Sequence, residues 1–449
     1  MLRGLLVRRR MGRKVRKSTP LLWLLCISLL VVVFLYYGYS YYFTADGTTN
    51  RSVKSEEQQL EEEDDNTEGE MPCFASHTTN TTTNRTHDIT TLLALRHIRK
   101  NVRKTWQQYK YLVVLGIPSM DAPPQRRRRA LQRASWLRYR EVATRANGFK
   151  APLLVLFALA RPPPLVSLTP LTPQSALARG RRVYSMAAHA EAASRQDVLL
   201  FPQCDAAAKT RKHSGGGGHW GLAAEVGTSA KSFMWYRLAL RLAPNAAYIA
   251  KADDDIFLRV PQYLADLNTL PRDGLYWGRI MPWWPRKGNK QQVFYFAGGM
   301  CITMSRDVVQ HVIEYTPLQR ILSTPVDEES LGEGKTKNAT LIAYFKSLNA
   351  DHEDIMIGRV LYETKHPGII FVPEKKCRFH DVHVGANKAP ITAQSVVVHH
   401  LRENEYAELL RRFPEEGNDS ENKVKPVLFT RIPGPMGVVG EAQYVYSCR

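Results

Sequence analysis

Three consecutive carboxylates, Asp253, Asp254 and Asp255, stand in the segment YIAKADDDIFLRV. Adjacent acids repel one another, so placing them beside an apolar run is unfavourable unless something neutralises them. A divalent cation does this directly, because hard ions such as Mn²⁺ and Mg²⁺ take oxygen ligands and bridge carboxylates to phosphates. Alternate side chains of an extended chain share a face, so Asp253 and Asp255 can converge while Asp254 points elsewhere. The plainer alternative is an exposed acidic turn. A second group, Asp351-His352-Glu353-Asp354, runs into IMIGRVLY. Asp351 as N-cap with Asp354 three residues on would satisfy orphan helix amides, a variant of the capping box. The catalytic alternative makes one carboxylate a general base that takes the proton of an acceptor hydroxyl. The local pattern alone favours the cap.

Further residues belong beside these two groups. In Tyr295-Phe296-Ala297-Gly298-Gly299-Met300, paired glycines between apolar runs either let the backbone approach a ligand closely or mark a bulge. Trp277, Trp283 and Trp284 lie just upstream, and indole faces serve both as sugar platforms and as core. His399 and His400 follow the strand-like Ser395–Val398, where a histidine completes a metal site or simply sits at the surface.

The elements that must hold these residues alternate in type. Tyr111–Ile117 and Leu153–Leu159 are short continuous apolar runs, as in strands buried on both faces. Lys231–Leu242 has helical spacing and stops before Pro244. Ala246–Ala252 reads as a third strand and Val260–Leu270 as a helix, so the aspartates fall between a strand and a helix. Such alternation predicts an open α/β sheet, mostly parallel, in which ligands bind beyond the carboxyl ends of the strands. Gly215–Gly218 and Arg161–Pro164 read as loops.

Composition and charge set the wider frame. The 449 residues carry 62 Lys+Arg against 42 Asp+Glu, a formal charge of +20. Residues 1–20 hold eight basic residues and no acid, and Leu21–Tyr42 has no charged side chain. A run of about 20 apolar residues spans a bilayer core, and basic flanks stay on the cytosolic side. Residues 43–92 form an acidic, Thr-rich stretch with 3 basic against 11 acidic residues, the composition of a flexible stem. Residues 93–449 then form a lumenal body that carries the whole +20, which suggests anionic ligands such as nucleotide diphosphates, although charge alone favours an ordinary solvated surface. A nucleic-acid-binding role would put this body on the wrong side of the membrane. Sequons at Asn50, Asn80 and Asn84 in the stem and at Asn338 and Asn418 in the body agree with a lumenal placement of everything beyond the span. Cys73, Cys204, Cys301, Cys377 and Cys448 are odd in number beyond the span, and their pairing is not legible.

Taken in order, these segments resemble the β-1,3-galactosyltransferase family, which includes the Fringe-type N-acetylglucosaminyltransferases, and the wording LYWGRIMPWW is closest to its kinetoplastid branch. The resemblance covers about residues 110 to 402. An R-R-x-A-I-R-x-T-W pattern appears as Arg128 to Trp136, with Gln132 in place of an apolar residue. K-x-D-D-D-x-F corresponds to Lys251–Phe257, the glycine turn to Tyr295–Gly299, and E-D-V-x-x-G to Glu353–Gly358. The resemblance implies a nucleotide-sugar-binding glycosyltransferase fold of the A type behind a single membrane anchor, as in a type II Golgi protein. It implies Mn²⁺ (or Mg²⁺) and a UDP-sugar donor, with inverting transfer to a glycan on protein or lipid. Asp255 would be the principal metal ligand, joined by Asp253 and by His399 or His400. Lys251, Asp253, Asp254, Gly298 and Gly299 would line the nucleotide and sugar. Asp354 would be the base, which shifts its reading away from the cap.

That chemistry is physically coherent. Displacing UDP from an anomeric carbon builds negative charge that a cation stabilises, and the acceptor hydroxyl needs a carboxylate to take its proton. One base with no protein nucleophile implies single-step inversion. The leading expectation is therefore transfer of galactose from UDP-galactose into a β-1,3 linkage. UDP-GlcNAc is the alternative donor, and an inactive membrane-tethered glycan-binding protein is the alternative of another class.

Overall fold

The computed structural model describes residues 93–161, 184–204, 221–284, 293–324 and 339–414, with the backbone of 428–429 and 442–443. All lie in one compact unit, Met71–Arg449. The basic tail, the apolar run 21–42, the acidic stretch 43–92, the five sequons and Gly215–Gly218 lie outside the described residues. Among the described residues no helix is long and apolar enough to cross a membrane.

In chain order the strands begin with β1 (Val113–Met120), β2 (Val142–Ala143), β3 (Leu153–Arg161), β4 (Val198–Cys204) and β5 (Tyr248–Ala252). They continue with β6 (Phe257–Leu258), β7 (Leu275–Trp283), β8 (Phe294–Ser305), β9 (Ile370–Pro373), β10 (Phe379–Asp381) and β11 (Val397–His399). The helices are α1 (Lys100–Gln108), α2 (Pro123–Ala134), α3 (Met186–Arg195), α4 (Leu222–Leu242) and α5 (Val260–Leu267). They are followed by α6 (Arg306–Glu314), α7 (Thr316–Ser323), α8 (Ala339–Ser347), α9 (Glu353–Thr364) and α10 (Glu405–Arg412).

The central sheet runs β2-β3-β1-β5-β8-β7-β9, with β4 also on β3. Pairing is parallel throughout except where β8 meets β5 and β7, so the fold is a mixed α/β sheet, mostly parallel. Its apolar strands are buried on both faces, which explains their unbroken runs. Val113, Leu115 and Ile117 of β1 join Val155 and Phe157 of β3 on one face, against residues of α3, α5 and α10. Val114, Leu154 and Leu156 join the other face, against α1, α4, α6, α7 and α9. Each such Val, Leu, Ile or Phe stabilises the sheet by about 1.5–3 kcal/mol over its exposed state.

Differences from the expected elements have local causes. Helix α4 begins at Leu222 rather than Lys231. Its first turns (LAAEVGT) are small and buried nearly all round, and a helix buried on all sides shows no amphipathic period. It ends before Pro244 as expected, and Pro261 starts α5 at a position where its missing N–H costs nothing. The strand expected at Ser395–Val398 is β11, whose last residue is His399 itself.

Topology fixes where a ligand would lie. After β1 the chain goes to β3 on one side and later to β5 on the other, so the order reverses at β1 and β5. Crevices beyond the carboxyl ends of strands at such a reversal are the usual ligand sites of open α/β sheets. Ser119 near the end of β1 and Asp253–Asp255 just after β5 occupy this place, and the Ser119 hydroxyl donates to Asp254 Oδ2 at 3.1 Å.

Candidate active site

A second, small sheet pins the aspartate turn. Strand β6, directly after the turn, pairs antiparallel with β11, and β11 pairs parallel with β10. The Leu401 amide donates to the Asp255 carbonyl at 3.2 Å. His399 Nε2 therefore lies 3.3 Å from Asp253 Oδ2 and 3.1 Å from Asp255 Oδ1. Its Nδ1 faces Asp381 Oδ1 at 2.8 Å. Asp253 and Asp255 thus converge on one imidazole edge while Asp254 turns away.

His400 completes the cluster by an unusual backbone turn. Its φ of 62° is in the left-handed region, which non-glycine residues seldom enter. The two imidazoles consequently lie side by side, centroids 3.8 Å apart at 32°. His400 Nδ1 is satisfied by the Val384 carbonyl at 2.6 Å, but its Nε2 is buried without a hydrogen-bond partner. Leaving such a group unpaired costs about 1–3 kcal/mol. One ligand atom each from Asp255, His399 and His400 falls within 4.8 Å of the others. An orphaned imidazole nitrogen beside carboxylate oxygens fits a divalent cation, and an oxygen-and-imidazole set serves several of them.

Lys251 links the turn to the second acidic group. It is 2% exposed, and its Nζ donates to Asp253 Oδ1 and Glu353 Oε2, both at 2.7 Å. A third contact, at 3.3 Å, is the Gly299 carbonyl. Between Gly278 and Ile280 of β7 the register with β8 shifts, so Gly298 and Gly299 sit in a bulge. A Cβ on Gly299 would lie 3.2 Å from Asp253 Oδ2 and 3.3 Å from Lys251 Nζ. The glycine pair thus marks a bulge, and the bulge brings the backbone against Lys251.

The capping expectation needs correction. Helix α9 starts at Glu353 with His352 as N-cap, and no side chain caps it. Asp351 is buried before the helix, so the acids fall one position earlier than a capping box requires. Asp354 Oδ1 instead accepts from the adjoining Ile355 amide at 2.9 Å, in the first turn, where the helix dipole favours an acid. It lies close enough to Gly299, Lys251 and Asp253 to feel all three. The structure thus brings Asp354 to the same cluster as the aspartate turn.

Asp254 has its own partners. Arg128 Nη1 donates to Asp254 Oδ1 at 2.9 Å, and Gln132 Nε2 donates to its carbonyl at 2.6 Å. Gln132, polar where the family pattern is apolar, is fully buried and spent on that carbonyl. The basic run 126–129 is split, with Arg127 exposed and Arg126 and Arg128 partly so. Arg129 is fully buried and makes a two-pronged pair with Glu191, at 2.9 and 2.7 Å. Trp277 is core rather than platform, stacked on Tyr263 at 5.1 Å. Trp284 is half-exposed, and Trp283 packs near His352 with centroids 5.8 Å apart. Cys301 is a free, buried thiol, and Cys377 is disulfide-bonded.

The acids divide by electrostatics. Burial opposes ionisation of Asp253, yet Lys251 and His399 outweigh it and hold this carboxyl well below the usual range. Asp255 is likewise held low against burial, by His399. Burial raises Glu353 despite Lys251, and the neighbouring Asp354 adds to the rise. Burial raises Asp354 too, opposed by Lys251 and reinforced by Asp253. His399 is pushed well above its ordinary value despite burial, chiefly by Asp255, with Asp253 and Asp381 assisting.

Sequence reasoning missed Asp381, Arg128 and Ser119 as partners, and gave Glu353 no role. Asp381 carries little signal, a lone acid in FHD, whereas Arg128 and Glu353 stood inside the quoted motifs. No model of a known protein family matches the chain, and no curated protein matches it.

Proposed function

We propose that the chain is an inverting, divalent-cation-dependent hexosyltransferase with a nucleotide-sugar-binding fold of the A type. In this reading it transfers galactose from UDP-galactose to a hydroxyl of a glycan on protein or lipid, forming a β-1,3 linkage, as a single-pass Golgi membrane protein. The observation that carries the reading is the cluster of Asp253, Asp255 and His399 with the unpaired His400 Nε2. It lies beyond the carboxyl end of β5, where the strand order reverses. The resemblance to β-1,3-galactosyltransferases, carried by the four motifs, supplies the donor and the linkage.

Asp255, His399 and His400, with Asp253 beside them, would hold the cation. When bound, it supplies Lewis-acid stabilisation of the diphosphate leaving group. The residues of the chain do the rest. Lys251 fixes Asp253 and Glu353 in place, and Arg128 and Ser119 hold Asp254. Asp354, raised by burial, takes the proton of the acceptor hydroxyl; a base is most effective when its pKa approaches the working pH.

The test uses the full-length chain in detergent micelles with UDP-galactose or UDP-GlcNAc and a panel of glycosides, followed by linkage analysis. Transfer of galactose that stops on chelation and returns with Mn²⁺ is expected. Transfer from UDP-GlcNAc alone would overturn the donor assignment. Turnover indifferent to chelator would overturn the metal reading.

A further inference from the structure

We propose that Asp381 is a positioning residue for the cation site, fixing His399 in the orientation that turns its Nε2 toward Asp253 and Asp255. The proposal rests on the metal reading above and extends it to a residue that contacts no donor or acceptor.

The geometry points to a built support. Asp381 and His399 are register partners in the parallel pair β10–β11, so the carboxylate and the ring start from adjacent backbones. Asp381 Oδ1 is 2.8 Å from His399 Nδ1 and 3.5 Å from His400 Nδ1. One carboxylate oxygen therefore addresses both histidines on the side away from the aspartate turn. An imidazole that gives its Nδ1 proton to a carboxylate presents Nε2 as a lone-pair donor, and such a partner makes the ring more basic.

Asp381 is itself held. Its other oxygen accepts from the Asn387 amide at 3.1 Å, and the backbone from 382 to 387 wraps around it. Asn387 is tied to β7 through Arg279, whose Nε donates to Asn387 Oδ1 at 2.9 Å. Arg279 Nη1 in turn donates to the Glu374 carbonyl at 2.8 Å. Gly385 completes the wrap with φ +117°, and a Cβ there would stand 2.1 Å from Asp381 Oδ2. That contact is far shorter than any carbon tolerates, and the backbone angle excludes ordinary side chains besides. A buried acid with this much holding it on one side and a histidine on the other is placed to orient that histidine. Fold stability alone does not call for the arrangement, because a buried acid–histidine contact is weak evidence of stabilisation.

The experiment is Mn²⁺ titration of the full-length chain in micelles, read by calorimetry and by the ¹⁴N coupling in the electron spin resonance of bound Mn²⁺. Wild type, Asp255→Ala, Asp381→Asn and Gly385→Ala are compared, each checked for native circular dichroism. Loss of an outer carboxylate typically weakens metal binding about 10–100-fold. Asp381→Asn is expected to fall in that range with an altered ¹⁴N coupling. Gly385→Ala, which displaces the carboxylate without removing it, should weaken binding in the same direction. Wild-type affinity and coupling in Asp381→Asn, with binding lost in Asp255→Ala, would overturn this proposal and leave the metal reading standing. No Mn²⁺ binding by wild type would overturn both. Should Asp381→Asn not fold, Gly385→Ala carries the decision: unchanged affinity and coupling there overturn the proposal.

Discussion

Replacing Lys251 by methionine tests whether this one cation holds the acidic cluster together. The ammonium is 2% exposed and sits 2.7 Å from two carboxylates, so nothing in solvent can take its place. Removing one partner of a buried ionic group typically costs about 3–5 kcal/mol, because the other is left uncompensated. Methionine preserves most of the volume, so little of the loss would come from a cavity. The cost has a ceiling that pH reveals. Glu353 is already raised by burial against the pull of Lys251, so losing that pull raises it further. A carboxyl whose folded pKa exceeds its unfolded value favours the native state at low pH, and the benefit fades as pH rises through the folded value. The gap between variant and wild type should therefore narrow as pH is lowered, by at most about 1.4 kcal/mol per pH unit for each proton that the variant binds and the wild type does not. Urea unfolding followed by tryptophan fluorescence at several pH values measures this. A loss below about 1 kcal/mol, or a gap that does not move with pH, would refute the reasoning.

Other outcomes follow from the same geometry. Asp255→Ala should abolish both Mn²⁺ binding and transfer, whereas Asp354→Asn should keep Mn²⁺ binding and lose about 10²–10⁴-fold in kcat, as removal of a general base does. Calorimetry together with initial rates separates the two. His399 is raised well above its ordinary value, chiefly by Asp255, so without metal it carries a proton that a cation must displace. Mn²⁺ affinity should then increase with pH, and titrations in buffers of different ionisation enthalpy should show net proton release. Gly358→Ala would put a Cβ 2.4 Å from the Tyr295 carbonyl and 2.5 Å from Phe296 Cβ, forcing α9 off β8. A loss of at least about 1–3 kcal/mol in urea is expected there. Gly148→Ala, with nothing within 4 Å and only its φ of 62° against it, should cost less.

Legibility in the sequence followed the physics of each feature. Strands β1 and β3 were readable because burial on both faces leaves an unbroken apolar run, and Pro244 marked the end of α4. The first turns of α4 were not, since a helix surrounded by protein has no polar side to set a period. Asp253 and Asp255 converge as expected, though from a turn rather than an extended strand, and their meeting with His399 depends on β6 pairing β11 across more than a hundred residues. The capping box failed by one residue, a shift that moves an acid around the helix and that no composition rule detects. Asp381 was invisible because its role comes from cross-strand register, not from its neighbours in sequence.

The fold places chemically equal carboxyl groups in opposite electrostatic settings. When environments push titratable groups apart, the separation itself indicates which will stay charged and which will trade protons. Asp253 and Asp255 are held ionised, against burial, by Lys251 and His399, which is the state a cation ligand requires. Glu353 and Asp354 are pushed the other way by burial. Of these two, Glu353 is committed to Lys251 at 2.7 Å, while Asp354 takes its hydrogen bonds from backbone amides, those of Ile355 and Gly299. Lys251 thus does two things at once: it keeps Asp253 charged, and it occupies Glu353, which leaves Asp354 as the carboxyl of the pair that the proposed transfer would use as its base.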